Sequence, residues 1–268
     1  MDIVLIYLAR GVNDQAALRR FLDSYRKMPS GIGHRLIVAM KGYVGLDRRF
    51  SEDAALSIEA GAQLLILERD DRFDIGAYQE ASGRIAAEYY CFLNSFSHIL
   101  APQWLKLLYN AVCAPGVGIA GATGSWQSPP SSEFRRLRSN FGLRHGVRGL
   151  IQIAHFPLFP NPHIRTNGFI MSRDQLGSIV FPRRWHKKAM WQFESGRHGL
   201  TTQVRNEGLR AVMVTGSGIF DPMQWPQAKG YLSDNQQKLL IADNQTDHYA
   251  QANEDERRWL RQTAWGKA

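Results

Sequence analysis

The sequence predicts an α/β protein with a mainly parallel sheet flanked by helices. Short apolar runs rich in β-branched residues alternate with segments whose apolar residues recur at helical spacing. The chain of 268 residues, 44% of them hydrophobic and 21% charged, is long enough to bury one large core. Right-handed crossovers would join the strands in parallel, so their carboxyl ends should share one edge.

The first half of the chain alternates strand and helix patterns regularly. Apolar runs predict strands at DIVLIYLA, HRLIVAMKG, AQLLILER, YYCFL and GVGIAGA. Helical spacing predicts helices over residues 17–28 and 75–85. We also expect a helix over EDAALSIEAG, capped by Ser51, and one over PQWLKLLYNAV with proline in its first turn.

The second half is less regular. Residues 124–162 are rich in Ser, Pro, Gly and Arg, which predicts a long loop with one basic helix. NGFIMSRDQL predicts a strand leading into a helix, FESGRHGLTTQVRNEG predicts one helix, and RAVMVTG predicts a strand. The remaining residues have a polar helical pattern. We expect a single domain over residues 1–268 with a C-terminal helical elaboration.

The net charge of +9 is concentrated in two clusters, EFRRLRSNFGLRHGVRG and FPRRWHKK. Bases interleaved with Phe, Leu and Trp suit an anionic membrane surface or a phosphate-bearing ligand, and a solvated basic face is the alternative. No helix-turn-helix, zinc or RNA-binding signature accompanies the clusters, so no nucleic-acid partner is expected.

MDIVLIYLARG carries an acid where a signal peptide carries bases, and no window reaches the ~18 apolar residues that cross a bilayer. We expect a cytoplasmic protein, peripheral at the inner membrane face.

The loops after the strands contain no phosphate-binding glycine motif, which disfavours kinases, ATPases and dehydrogenases. Over residues 2–218, the order of features resembles the GT-A nucleotide-sugar glycosyltransferases, especially the inverting family-2-like and rhamnan-synthesis-like bacterial enzymes. The matching segments are DIGAY through Gly83, CFLNSFSHILAPQWL and FESGR. The resemblance implies a GT-A fold with a nucleotide-binding half over about 1–123, an acceptor half over about 124–220 and an extension over about 221–268. It also implies a nucleotide-sugar donor and a surface glycan or lipid-linked acceptor.

The resemblance places the donor site in the loops after the strands. Asp74 matches the family best, as a carboxylate for a ribose diol or a base N–H. For Asp70, a solvated turn with local Asp–Arg pairing is an equal alternative. The donor-binding residues implied are Ala9, Arg10, Lys41, Asp70, Asp74, Asn94 and Ser95.

The family's pair of metal-binding aspartates would fall on Asn94, Ser95 and Phe96. Such carboxylates hold Mn²⁺ or Mg²⁺, which neutralises charge on the leaving diphosphate. Phe96 cannot ligate a metal, so the sequence puts metal dependence in doubt and we assign no metal ligand. Arg165, Arg197 or Lys41 would then supply the positive charge, while a simple turn capped by Asn94 or Ser97 is the alternative role of the segment.

The acceptor half should supply the base of an inverting transfer. Glu194 matches the family's acidic position and neighbours Trp191, whose ring suits stacking on a sugar. The alternative for Glu194 is a carboxylate that complements a helix N-terminus. The acceptor-binding or phosphate-binding residues implied are Trp126, Arg165, Asn167, Trp191 and Arg197.

Three rival functions remain, and no motif supports one of them, a basic nucleic-acid-binding protein. A nucleotidyltransferase uses a similar sheet, but its glycine- and lysine-rich N-terminal signature is missing from YLARGVNDQ. A non-catalytic glycosyltransferase-like protein that binds a glycan or a partner is favoured by the missing aspartates. The retained Asp74 and Glu194 argue against it.

Overall fold

The structure is a computed structural model that describes residues 2–138 and 143–266, without the side chains of 134–138, 143–146 and 148. Most of the first basic cluster therefore lies outside the described side chains. In chain order the strands are β1 (Ile3–Arg10), β2 (Arg35–Lys41), β3 (Gln63–Ile66), β4 (Tyr89–Leu93), β5 (His98–Ile99), β6 (Val117–Gly121), β7 (Gly124–Ser125), β8 (His163–Ile164), β9 (Gly168–Ser172), β10 (Arg210–Thr215), β11 (Gly218–Phe220) and β12 (Ile241–Ala242). The helices are α1 (Gln15–Lys27), α2 (Asp47–Glu59), α3 (Phe73–Arg84), α4 (Trp104–Val112), α5 (Pro129–Arg138), α6 (Leu143–Ile153), α7 (Arg173–Ser178), α8 (Lys187–Ser195), α9 (Leu200–Asn206), α10 (Asn244–Gln251) and α11 (Glu254–Trp265).

An eight-stranded sheet in the order β11-β10-β6-β9-β4-β1-β2-β3 forms the centre of the fold. Six of its strands are parallel, while β9 and β11 run the other way. The predicted α/β class with a mainly parallel sheet is confirmed.

Each face of the sheet carries its own apolar core. In β1, Val4, Ile6 and Leu8 pack into the core on the α3 side. Alternate residues of the same strand, such as Leu5 and Tyr7, pack into the core that contains α1 and α4. This period of two buries β1 on both sides, and it explains why the strand reads as a continuous apolar run.

Three local predictions are wrong. Ser51 does not cap α2 but lies inside it, and its hydroxyl donates to the Asp47 carbonyl at 2.9 Å. Helix α4 begins after Pro102, at an N-cap residue, Gln103, in the left-handed region with φ 59°. The segment 124–162 contains two helices, α5 and α6, where one was expected.

The prediction of one helix over FESGRHGLTTQVRNEG is also wrong, because the helix is interrupted between the end of α8 and the start of α9. Gly196 caps α8, and a Cβ there would lie 2.4 Å from the Gln192 carbonyl oxygen. Glu194 consequently occupies the last turn of α8 and not a helix N-terminus.

The C-terminal elaboration packs onto the rest of the domain. Strand β12 pairs with β5, and the indole N–H of Trp265 donates to the Tyr231 carbonyl at 3.0 Å. Trp265 itself is buried in the core on the α3 side of the sheet. Among the described residues, no helix combines the length and apolarity needed to cross a bilayer.

Candidate functional site

The antiparallel strand β9 brings two parts of the chain to the same edge of the sheet. It lies between β4 and β6, and Gly168 at its start is paired with Leu93 at the end of β4. The residues that precede β9, from Arg165 to Asn167, therefore lie beside the carboxyl ends of the parallel strands. Ligands of open α/β sheets bind at this edge.

Three predicted donor-site residues form one charged cluster. Arg10 at the end of β1 donates from Nε and Nη2 to the Asp70 carboxylate at 2.9 and 2.8 Å. Lys41 at the end of β2 places Nζ 3.6 Å from the same carboxylate and donates to the Phe73 carbonyl at 2.7 Å. The local Asp–Arg pairing expected as an alternative is therefore wrong for Asp70, whose partner is Arg10, 60 residues away in the chain.

Electrostatics and backbone geometry both fix this cluster. The Arg10 guanidinium, through its hydrogen bond, holds the pKa of Asp70 below its usual value. Burial lowers the pKa of Lys41, whose side chain is 1% exposed. Gly42 adopts φ 68°, and a Cβ there would lie 3.0 Å from the Asp70 carboxylate. Glycine therefore lets the β2 loop approach the carboxylate.

Asp74, in the first turn of α3, is half-buried and accepts no hydrogen bond from the described residues. Burial raises the pKa of Asp74; Lys41 and Arg10 oppose this, while Glu194 and Asp70 add to it. The interaction with Glu194 links the predicted donor site to the predicted base. An unpaired, half-buried carboxylate is costly, which suits a residue kept for a ligand.

The NSFS segment is a tight turn that uses its own side chains. The Asn94 Oδ1 atom accepts from the Phe96 amide at 3.0 Å and from the Ser97 hydroxyl at 2.9 Å. The Ser95 carbonyl accepts from the Tyr7 hydroxyl at 2.8 Å. The turn leads into β5 and not directly into a helix.

These side chains do not fit a Mn²⁺ or Mg²⁺ site. Hard divalent cations need several free oxygen ligands, but the Asn94 oxygen is engaged within its turn and Phe96 has none. Within residues 2–138 and 143–266, no group of three His, Cys, Asp or Glu side chains is placed to hold a metal ion.

A cavity of about 300 Å³ lies beside this edge and contains the predicted base. Residues from α8, from the β8–β9 segment and from the C-terminal part line it, including His163, Arg165, Trp191, Glu194, Ser195 and Tyr231. Glu194 Oε2 accepts from the Thr166 amide at 3.0 Å and from the Thr166 hydroxyl at 2.5 Å. Its Oε1 atom accepts no hydrogen bond from the described residues, so one carboxylate oxygen is fixed and the other is available.

Arg165 is 6% exposed and lines this cavity. Its Nη2 atom donates to Asp243 Oδ2 at 2.7 Å, and its guanidinium lies 4.4 Å from the centre of the Tyr231 ring. Its Nη1 atom is buried and has no hydrogen-bond partner among the described residues. Burial raises the pKa of Asp243, but Arg165 and the amides of Thr246 and Gln245 together outweigh burial and hold that pKa below its usual value.

His163 is a cavity residue that the sequence analysis did not identify. It is 6% exposed, and its Nδ1 lies 2.8 Å from the Asn161 carbonyl oxygen. Burial lowers the pKa of His163, so the ring is neutral at pH 7, donates from Nδ1 and presents Nε2 as an acceptor. The only signal in the sequence is the alternation of polar and apolar residues in His163-Ile164-Arg165. The burial of His163 depends on residues distant in the chain, so it could not be predicted.

Of the remaining predicted site residues, Trp191 lies at this cavity and the others lie elsewhere. Trp191 is 52% exposed at the cavity rim, whereas Trp126 is 9% exposed and its indole N–H donates to the Pro222 carbonyl at 2.8 Å. Asn167, just before β9, joins the β6–β7 loop: its side-chain oxygen accepts from Thr123 at 2.5 Å. Arg197 donates from Nε to the Ile153 carbonyl at 2.9 Å and lines a different cavity.

Ala9 and Ser95 border a hollow of about 10 Å³. This is roughly the volume that holds one water molecule.

No family model matches the chain, and no curated protein matches it in sequence. Among solved structures it is similar to a mannosyltransferase from Pyrobaculum calidifontis, solved with GDP-mannose and Mn²⁺, at 15% identity and a TM-score of 0.51. That match covers 82% of this chain and 56% of the mannosyltransferase.

Two further structures have lower TM-scores. Glucosyl-3-phosphoglycerate synthase from Mycobacterium tuberculosis gives 0.42 at 14% identity, covering 75% of this chain and 62% of the synthase. A CMP-2-keto-3-deoxy-manno-octonic acid synthetase with CTP gives 0.45 at 13% identity, covering 83% and 95%. The chain spans little more than half of the mannosyltransferase, and the likeness to that enzyme is one of fold. The predicted GT-A fold is confirmed.

Proposed function

We propose that this protein is a glycosyltransferase that moves a sugar from a nucleotide-sugar donor to a surface glycan or lipid-linked acceptor, with inversion at the anomeric carbon. One observation carries the proposal. At the ligand-binding edge of a GT-A sheet, one cavity is lined by both Glu194 and Arg165, and each keeps one polar atom without a hydrogen-bond partner among the described residues. A carboxylate and a guanidinium held in this way suit proton removal and diphosphate binding respectively.

Glu194 is the proposed general base. Thr166 fixes Oε2 through two hydrogen bonds, which leaves Oε1 to accept the proton of the acceptor hydroxyl. The acceptor oxygen then forms its bond to the anomeric carbon on the face opposite the nucleotide. The bond between that carbon and the phosphate oxygen breaks, and the nucleoside diphosphate leaves with the electron pair.

Arg165 is the proposed cation for the leaving diphosphate. The segment that carries aspartates in the family offers no free carboxylate here, so the positive charge must come from another group. Arg165 is permanently charged, and its Nη1 hydrogens have no partner among the described residues. A donor with only 6% of its surface exposed stabilises developing negative charge more strongly than one in water.

The donor nucleoside is proposed to bind over the cluster of Arg10, Lys41 and Asp70, with Asp74 accepting the ribose hydroxyls. Asp74 supports this role because its carboxylate lacks a hydrogen bond while lying near Lys41 and Arg10. The Arg10–Asp70 pair is already formed, so binding a nucleoside requires little reorganisation of these side chains.

A non-catalytic glycan-binding protein is the second candidate, favoured by the engagement of Asn94 within its own turn. A thermal-shift panel of UDP, GDP, CDP, dTDP and their sugars, each with Mn²⁺ and with a chelator, separates the two candidates. A nucleotide at about 100 times its Kd should add roughly 2.7 kcal/mol to the native state. We expect one nucleotide class to stabilise the protein equally well in chelator. Stabilisation by none of the nucleotides would contradict a transferase function.

A further inference from the structure

A second and larger cavity, of about 790 Å³, lies on the other side of α8. Its polar lining is strongly basic: Arg183, Arg184, Lys188 and Arg197 line it together with three histidines. No carboxylate is among its described lining residues. The side chains of Arg183, Arg184 and Lys188 form no ion pair or hydrogen bond with the described residues, so this charge is available to an anion.

The cavity also has an apolar part. Val180, Pro182, Ala189 and Phe193 contribute hydrocarbon surface to its lining. A cavity that combines several unpaired cations with an apolar wall suits a ligand with a phosphate group at one end and a hydrocarbon at the other.

An exposed apolar stripe leads to this cavity. On α6, Val147, Leu150 and Ile151 are 58%, 65% and 57% exposed. Their spacing places them on one face of the helix, and Ala154, three residues after Ile151, lines the cavity. The stripe would lie against a lipid chain whose phosphate enters the cavity.

The two cavities approach each other at two places. Helix α8 separates them, with Gln192 and Phe193 on the basic side and Trp191 and Glu194 on the other. Gln152 lines the cavity of the proposed base, and Ala154 lines the basic one. Likewise, Ser195 lines the cavity of the proposed base, and Arg197 lines the basic cavity. The Cα atoms of residues two apart in the chain are separated by at most about 7 Å, so the two cavities lie close together beside the end of α8.

We propose that the basic cavity binds the phosphate or diphosphate of an amphiphilic acceptor, whose hydrocarbon chain follows the α6 stripe and whose sugar reaches Glu194. This inference rests on the proposed function for the identity of the sugar end. The unpaired cations and the apolar lining of the cavity support the phosphate and the hydrocarbon chain of the ligand.

The test measures binding without donor or transfer, using farnesyl diphosphate, inorganic diphosphate and farnesol as probes. Wild type should bind farnesyl diphosphate more tightly than either of the others. The double variant Arg183→Ala with Arg184→Ala should lose about tenfold or more of that affinity, because each side chain supplies charge-assisted hydrogen bonds. Lys27→Ala with Lys106→Ala removes the same charge from exposed sites outside the cavity and should bind normally.

A second variant tests whether the hydrocarbon chain of the ligand contacts the α6 stripe. Leu150→Ser with Ile151→Ser should weaken binding of farnesyl diphosphate and leave inorganic diphosphate unaffected. Equal affinity of wild type for the two diphosphates would overturn an amphiphilic ligand. Binding only to vesicles of phosphatidylcholine with phosphatidylglycerol, lost in the double arginine variant, would overturn the specific site in favour of a general anionic lipid surface.

Failure here is distinguishable from failure of the proposed function. The thermal shift caused by nucleotides depends on the other side of α8 and should survive in the double arginine variant. Normal nucleotide binding with no diphosphate probe bound would overturn this inference alone. Probe binding without any nucleotide binding would support the basic cavity and contradict the transferase.

Discussion

Arg165 and Asp243 form a buried ion pair, with Nη2 and Oδ2 2.7 Å apart, between residues 78 positions apart in the chain. Both side chains are at most 8% exposed. Asp243 also accepts from the amides of Gln245 and Thr246 at 3.0 Å, so its position is fixed by the start of α10. The pair holds Arg165 in a buried position while leaving Nη1 without a hydrogen-bond partner among the described residues.

Removing one partner of this pair should destabilise the protein. Asp243→Ala leaves the Arg165 charge buried and uncompensated, so we expect the free energy of unfolding to fall by about 3–5 kcal/mol in urea titrations. Asp221→Ala is the matched control, since its pair with Arg210 at 2.8 Å is about half exposed and should contribute about 0–1 kcal/mol. Similar losses in the two variants would show that burial of the pair is not decisive.

Arg165→Lys should preserve a charge near Asp243 but lose the second nitrogen, Nη1, which has no partner among the described residues. We expect affinity for the nucleoside diphosphate to fall about tenfold or more, while affinity for the uncharged nucleoside stays the same. Calorimetric titration with both ligands measures the difference. An equal loss for the two ligands would place Arg165 outside the diphosphate site.

Glu194→Gln should abolish most transfer while keeping the fold, because glutamine still accepts from Thr166. Loss of a general base costs about 10²–10⁴-fold in rate. The rate of nucleoside diphosphate release with acceptor present measures transfer, and the thermal shift with nucleotide should match wild type. Glu59→Gln, at an exposed position, is the control. Transfer at the wild-type rate in the Glu194→Gln variant would eliminate Glu194 as the base.

Asp74→Asn should weaken nucleotide binding and stabilise the protein at pH 7. The folded state raises the pKa of Asp74, so the carboxylate costs nothing below about pH 4 and destabilises the fold as the pH rises through the folded-state pKa. The variant should gain about 0.5–2 kcal/mol at neutral pH, a gain that vanishes in acid. Thermal unfolding measured across pH tests this expectation.

Asp71→Asn provides a control of opposite sign for that series. The Arg69 hydrogen bond lowers the pKa of Asp71, so its contribution to stability is present above the unfolded pKa and is lost as the pH falls. At neutral pH this variant should be no more stable than wild type. A gain at neutral pH in both variants would mean that burial of Asp74 is not the cause.

The sheet was predictable because its strands are buried on both faces, and β1 and β4 therefore read as unbroken apolar runs. The break between α8 and α9 was not predicted, although Gly196 and Gly199 mark it. The Arg10–Asp70 contact and the partner of Arg165 were not predictable either, since each joins distant parts of the chain. Local patterns place residues on elements, while pairings such as these depend on tertiary packing.

The pairing of β12 with β5 has a consequence for biosynthesis. Strand β5 follows the Asn94 turn, but its partner, and the carboxylate that neutralises Arg165, are translated more than 140 residues later. All eight strands of the central sheet are translated before residue 221, whereas the partner of Arg165 is translated only at residue 243. We therefore expect the proposed catalytic centre to form after the central sheet, so that an incomplete chain would not react with the donor.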